Sequence, residues 1–125
     1  MPKAERIYSD LALNIFGYQE DRAWVALALE MDLRGDGPTF NDALDELDEL
    51  VTTQLGFAQM KAQPELIWKP AEPIYWRLFE DARRDRLREF VLSESPRNPD
   101  YEVRGLPLPP PHVITSLPEF QQADG

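Results

Sequence analysis

With 125 residues and 23 acidic against 13 basic side chains, the chain has room for one domain plus extensions, and its net charge of −10 disfavours nucleic acid and anionic membranes as partners. It has no cysteine, which excludes disulfides and thiolate-bound zinc, and its one histidine, His112, follows three prolines, which leaves no oriented imidazole for a Ser-His-Asp or Cys-His catalytic set. No apolar run approaches the length needed to cross a bilayer, and Met1-Pro-Lys-Ala-Glu lacks the apolar stretch of a secretion signal, so the expected location is the cytoplasm.

The first predicted strand covers Leu11 to Tyr18, with Leu11, Leu13 and Ile15 on one side and Asn14 on the other. Gln19-Glu20-Asp21-Arg22 reads as a hairpin turn. A second strand is expected from about Arg22 to Leu29 and a third from about Met31 to Asp36, joined through a bend or bulge where Glu30 and Asp32 flank Met31. Val25, Leu27, Leu29, Met31 and Leu33 recur at every second position, the rhythm of a ribbon with one buried face.

After Gly35-Asp36-Gly37-Pro38 the rhythm changes to three-and-four spacing through Phe40, Ala43, Leu44, Leu47, Leu50, Val51 and Leu55. The spacing predicts a helix from Phe40 to about Ala58 that must lie on the sheet. Thr39 marks its start, able to accept from the backbone at Asp42 while the Asp42 carboxylate points back.

Pro64, Pro70 and Pro73 interrupt the region after this helix, leaving Glu65 to Lys69 as a short strand or an extended crossing segment. A second helix is predicted from about Ile74 to Val91, with Pro73 suited to its first turn and a broken apolar stripe of Leu78, Phe79, Ala82, Leu87, Phe90 and Val91. Trp68, Tyr75, Trp76 and Phe79 gather at this junction, as residues of a core or an oligomer contact do. From Ser93 the composition turns to proline, glycine and polar residues, and Leu106 to Ile114 resembles a polyproline II segment.

Ala28-Leu29-Glu30-Met31-Asp32-Leu33, two glycines around Asp36, Thr39, then Ala43-Leu44 and Leu47 together resemble the core of HicB-like antitoxin domains. The chain departs from that pattern in having Glu30-Met31-Asp32-Leu33 where a Pro-Asp-Leu-Pro-Gly bend is usual, and in lacking a recognisable DNA-binding segment after the domain. The resemblance implies a partial ribonuclease H-like fold, βββαβ, with a short strand after the first helix. It also implies a non-enzymatic antitoxin or regulatory role exercised by binding a small basic ribonuclease toxin. The resulting expectation is an α+β fold, a three- or four-stranded antiparallel sheet with a helix packed on it, a second helix and an extended Pro-rich tail. It divides into a HicB-like domain over 1–70, an additional helix over 71–93 that packs on or extends that domain, and the Pro-rich extended tail over 94–125.

Asp42, Asp45, Glu46, Asp48 and Glu49 make a dense acidic run on the outer side of the first helix, either a solvated face or a surface complementary to a basic partner. Two further chemistries compete. Asp10, Glu30, Asp32 and Asp36 are the carboxylates from which a magnesium-dependent nuclease would have to be built, although Glu30 and Asp32 are expected on one strand face opposite Met31. Arg77, Arg83, Arg84, Arg86 and Arg88 concentrate positive charge on the second helix, but Glu80, Asp81, Asp85 and Glu89 alternate with them, so ion-pair lacing is a simpler account than phosphate binding. No cofactor is expected. The sheet face or edge that the first helix leaves open calls for cover from the second helix, the tail or another subunit; a homo-oligomer is expected, and an orphan structural or adaptor role through the Pro-rich extension is a further alternative.

Overall fold

The computed structural model describes residues 12–108. Strand β1 (Ala12–Glu20) turns directly into β2 (Ala23–Ala28), with Glu20 opposite Ala23 and Ile15 opposite Ala28. The two-residue loop between them has positive φ at both Asp21 (52°) and Arg22 (67°), the backbone that matches the twist of a tight hairpin. Strand β3 (Leu33–Gly37) then pairs with β2, from Ala28 opposite Leu33 to Trp24 opposite Gly37.

Between β2 and β3 the bend expected inside a strand is a four-residue loop, Leu29–Asp32, in which the amides of Met31 and Asp32 both donate to the Ala28 carbonyl, at 3.3 and 2.8 Å. The loop breaks the two-residue rhythm. Leu27 and Leu29 therefore pack on one side of the sheet while Met31 and Leu33 pack on the other, and β2 is buried on both faces rather than one.

Helix α1 (Phe40–Lys61) begins as its sequence signals: Asp42 N donates to Thr39 Oγ1 at 3.1 Å, and Thr39 Oγ1 donates to Asp42 Oδ2 at 2.9 Å. It runs past the predicted end at Ala58 and stops where Ala62 takes a left-handed conformation, its N–H donating to the last carbonyls. Ala43, Leu47, Val51 and Leu55 bury against Leu13, Ile15, Ala26 and Ala28. Leu50, placed on the inner stripe by spacing, is instead 42% exposed. At Gly35 the helix backbone comes so close that a Cβ would lie 2.5 Å from Leu47 N, so only glycine allows this approach.

Of the two readings of Glu65–Lys69, the short strand that the resemblance implies does not form. Pro64–Leu66 is a single 3-10 turn, after which the chain runs beside the Leu29–Asp32 loop, Lys69 N donating to Glu30 O at 3.0 Å and Ala71 N to Leu29 O at 2.8 Å. Helix α2 (Pro73–Leu92) then lies on the face opposite α1, where Phe79 and Ala82 pack with Phe16, Leu27 and Leu29. Across that face runs a row of rings, Tyr75 to Tyr18 (5.8 Å between centroids), Tyr18 to Phe16 (5.7 Å) and Phe16 to Tyr101 (5.2 Å).

The fourth strand comes from the segment read as an extended tail: β4 (Glu102–Pro107) pairs antiparallel with β1, Leu13 opposite Leu106 and Phe16 opposite Val103. The chain is thus an α+β fold with a four-stranded antiparallel sheet in the order β3-β2-β1-β4 and one helix on each face. The loop that delivers β4 is tied down by α2, since buried Glu89 accepts from Arg97 N at 2.8 Å and Arg86 Nη2 donates to Tyr101 O at 2.7 Å. Leu108 is the last described residue of the Pro-rich stretch, so the polyproline reading of residues 109–114, and His112 with it, lies outside the described residues. Among the described residues no helix is long and apolar enough to cross a membrane.

Candidate functional site

The outward side of α1 holds a run of five carboxylates that no basic side chain among the described residues neutralises. Asp42, Asp45, Glu46 and Glu49 follow at three, four and seven residues and share one helix face, with Asp48 flanking Asp45 one turn on; all five are exposed. Among the described residues none of them lies in an ion pair. Asp42 is engaged in the cap, and Glu46 Oε1 accepts from Asp36 N at 3.4 Å. The remaining carboxylates act on one another: partial desolvation, then the charges of Asp45 and Glu49, push the Asp48 carboxyl above its ordinary value.

Farther along the same helix the surface changes character. Leu50, Phe57 and Met60 are 42%, 39% and 46% exposed, and Lys61 Nζ sits 5.3 Å over the Phe57 ring. Between the end of α1 and the Pro64 turn, Leu55, Ala58, Ala62, Pro64 and Ile67 line an open apolar groove of about 420 Å³. One helix therefore offers a carboxylate-rich first half and an apolar second half. The acidic run is plain in the sequence; the apolar continuation is not, because Leu50 fits an inward stripe and Met60 lies past the predicted end of the helix at Ala58.

The other carboxylates considered for metal chemistry are dispersed. Glu30 Oε1 accepts from Asn14 N at 3.0 Å and its Oε2 from Asn14 Nδ2 at 2.8 Å, so this carboxylate serves to join the Leu29–Asp32 loop to β1. Asp32, with φ 51°, lies in that loop rather than on a strand face with Glu30, and its Oδ1 is 3.7 Å from Arg34 Nη2. Asp36 is in β3, and Asp10 lies outside the described residues. Among the described residues no group of three or more His, Asp or Glu side chains stands close enough together to hold a metal ion.

Arg34 instead completes an aromatic corner: its Nη1 donates to Tyr18 Oη at 2.9 Å and its guanidinium lies 4.8 Å over the Tyr75 ring. Burial raises the Tyr18 hydroxyl above its ordinary value, with the Arg34 charge opposing. On α2 the expected lacing is partly formed, Arg84 reaching Asp81 at 3.4 Å, while Arg86 turns to Glu89 (3.7 Å) and Glu102 (3.6 Å) and Arg88 to Glu94 (3.7 Å). Of the junction aromatics, Phe79 is core, Tyr75 and Trp76 are half-buried and Trp68 is 63% exposed.

No protein-family model matches this chain, and neither a curated protein nor a solved structure matches it.

Proposed function

We propose that the chain is a non-enzymatic protein-binding module of the HicB-like antitoxin or regulatory kind, and that the outer face of α1 receives a small basic protein such as a ribonuclease toxin. The single observation behind this reading is the set of five exposed carboxylates on α1, none in an ion pair among the described residues, running into exposed Leu50, Phe57 and Met60. Charge of one sign on a convex helix draws an oppositely charged partner into encounter, and apolar side chains beside it supply the contact that persists after water leaves. The protein works in the cytoplasm and as a homo-oligomer.

Affinity capture from the native cell tests the assignment. Recovery of a small basic protein that is lost on Asp45→Lys/Glu49→Lys substitution is the expected result. Capture that returns no such protein, beside a neighbouring gene with no toxin-like product, removes its support.

A further inference from the structure

Helix α2 is longer than the sheet it covers. Its first turns lie over the β3 and β1 side, with Tyr75 against Arg34 and Tyr18; its middle packs Phe79 and Ala82 on Phe16, near Val103; and Arg86 already reaches Tyr101 and Glu102 at the β4 margin. Six residues of helix remain beyond Arg86, about 9 Å at 1.5 Å per residue, or close to two strand spacings. Phe90 lies three turns past Phe79 on the same side of the helix, and Leu87 lies beside it. They are 83% and 58% exposed, with Val91 at 76%. Below this overhang, among the described residues, β4 pairs only with β1 and its outer edge has no strand beside it.

We infer that a second copy of this chain fills that place, its β4 pairing antiparallel with the first across a two-fold axis at Val103, so that the apolar ends of both α2 helices close over an eight-stranded sheet. The assignment rests on the reading that the chain self-associates, and it supplies the surface.

The sequence of β4 selects both occupant and register. A two-fold axis through Val103 sets Glu102 of each copy opposite Arg104 of the other, which makes two opposite-charge cross-strand pairs. Moving the axis by one residue either way sets Glu102 against Glu102 or Arg104 against Arg104. In the Val103 register Tyr101 faces the second copy's Gly105, at which an added Cβ would find nothing nearer than Ala12 Cβ at 3.9 Å. Pro107 and the three prolines at 109–111 cannot donate to a ladder and confine the pairing to the stretch before them. The opposite margin is less suited, since β3 has five residues, two of them glycine, and the outward amide of Asp36 is already met by Glu46. A six-residue strand pair alone is smaller than a stable interface requires, and the two α2 ends supply the further apolar area.

The test uses the full chain and reads mass by sedimentation and by light scattering over a concentration series. The wild type is expected to be dimeric, and Phe90→Glu, at a side chain with almost no internal contacts, to be monomeric while keeping the wild-type circular dichroism spectrum. Glu102→Arg should weaken the dimer about ten-fold by setting arginines against each other, and Glu102→Arg/Arg104→Glu should restore it. Because the chain has no cysteine, Val103→Cys gives a single thiol at the axis and should form a covalent dimer on mild oxidation, whereas Thr53→Cys on the outer side of α1 should not. A wild type that stays monomeric overturns self-association itself. A dimer that survives Phe90→Glu and leaves Val103→Cys uncrosslinked keeps self-association and overturns this surface.

Discussion

Glu30 holds Asn14 at two points, one carboxylate oxygen accepting from its backbone amide at 3.0 Å and the other from its side-chain amide at 2.8 Å, while Leu29 N donates to the Asn14 carbonyl at 3.0 Å. Beyond Ile15–Ala28, the last β1–β2 pair, this side chain continues the contact across the loop. The same loop receives Lys69 and Ala71, so one carboxylate anchors the point where the connection between α1 and α2 meets the sheet.

Glu30→Ala should lower the unfolding free energy by about 2 kcal/mol, because hydrogen bonds to a charged acceptor are the stronger kind and a half-buried amide is left without its partner. Glu30→Gln keeps one acceptor oxygen and should lose about half as much. Urea titration followed by tryptophan fluorescence measures both.

Gly35→Ala should cost about 2–3 kcal/mol, since the added Cβ meets the backbone of α1 at Leu47 and Ala43, which can yield only by lifting the helix from the sheet. Gly105→Ala, with its nearest neighbour in the same chain at 3.9 Å, should cost the fold of one chain far less, under about 1 kcal/mol. Calorimetry on the pair separates close approach from glycine content.

Asp48→Asn tests the mutual repulsion on α1. The folded-state value of this carboxyl is raised by desolvation and by Asp45 and Glu49, so the folded chain holds its proton more tightly than the unfolded chain does, and stability falls as pH rises from the ordinary value of 3.8 through the raised one. Above that window the cost is fully present. The substitution should therefore stabilise the protein slightly at pH 7, lose that advantage as pH falls below the window, and keep part of it in high salt, which screens the repulsion from Asp45 and Glu49 and not the desolvation. Thermal melts at several pH values and ionic strengths track the sign.

For the proposed partner surface, the two halves of α1 should affect different rates. Asp45→Lys/Glu49→Lys should slow association about ten-fold at low salt and less at high salt, while Phe57→Ala should mainly speed dissociation. Surface plasmon resonance against the captured partner distinguishes these effects.

The hairpin and α1 were legible because their signals are local: Leu13 and Ile15 alternate in β1, and the Thr39–Asp42 cap precedes an unbroken apolar stripe. Strand β4 was not. Glu102-Val-Arg-Gly-Leu-Pro carries proline, glycine and two charges, and its pairing with β1 joins residues about ninety positions apart, which no local rhythm records. The second helix is one of three candidates to cover the second face, and its sequence does not single it out because its stripe is interrupted by Arg86 and Glu89, which bind the returning loop. The acidic half of the α1 surface is consecutive in sequence and needed no folding to be seen, whereas the apolar half depended on which way Leu50, Phe57 and Met60 face.

Both long helices end on a residue with a Cβ in left-handed backbone, Ala62 at φ 55° and Ser93 at φ 55°, and among the described residues no glycine takes such a conformation. Each site holds a conformation that an L side chain resists by roughly 1 kcal/mol. The molecule thus has untapped sturdiness where each helix stops: Ala62→Gly, at the apolar groove beyond α1, and Ser93→Gly, just after the exposed end of α2, would each relieve that strain.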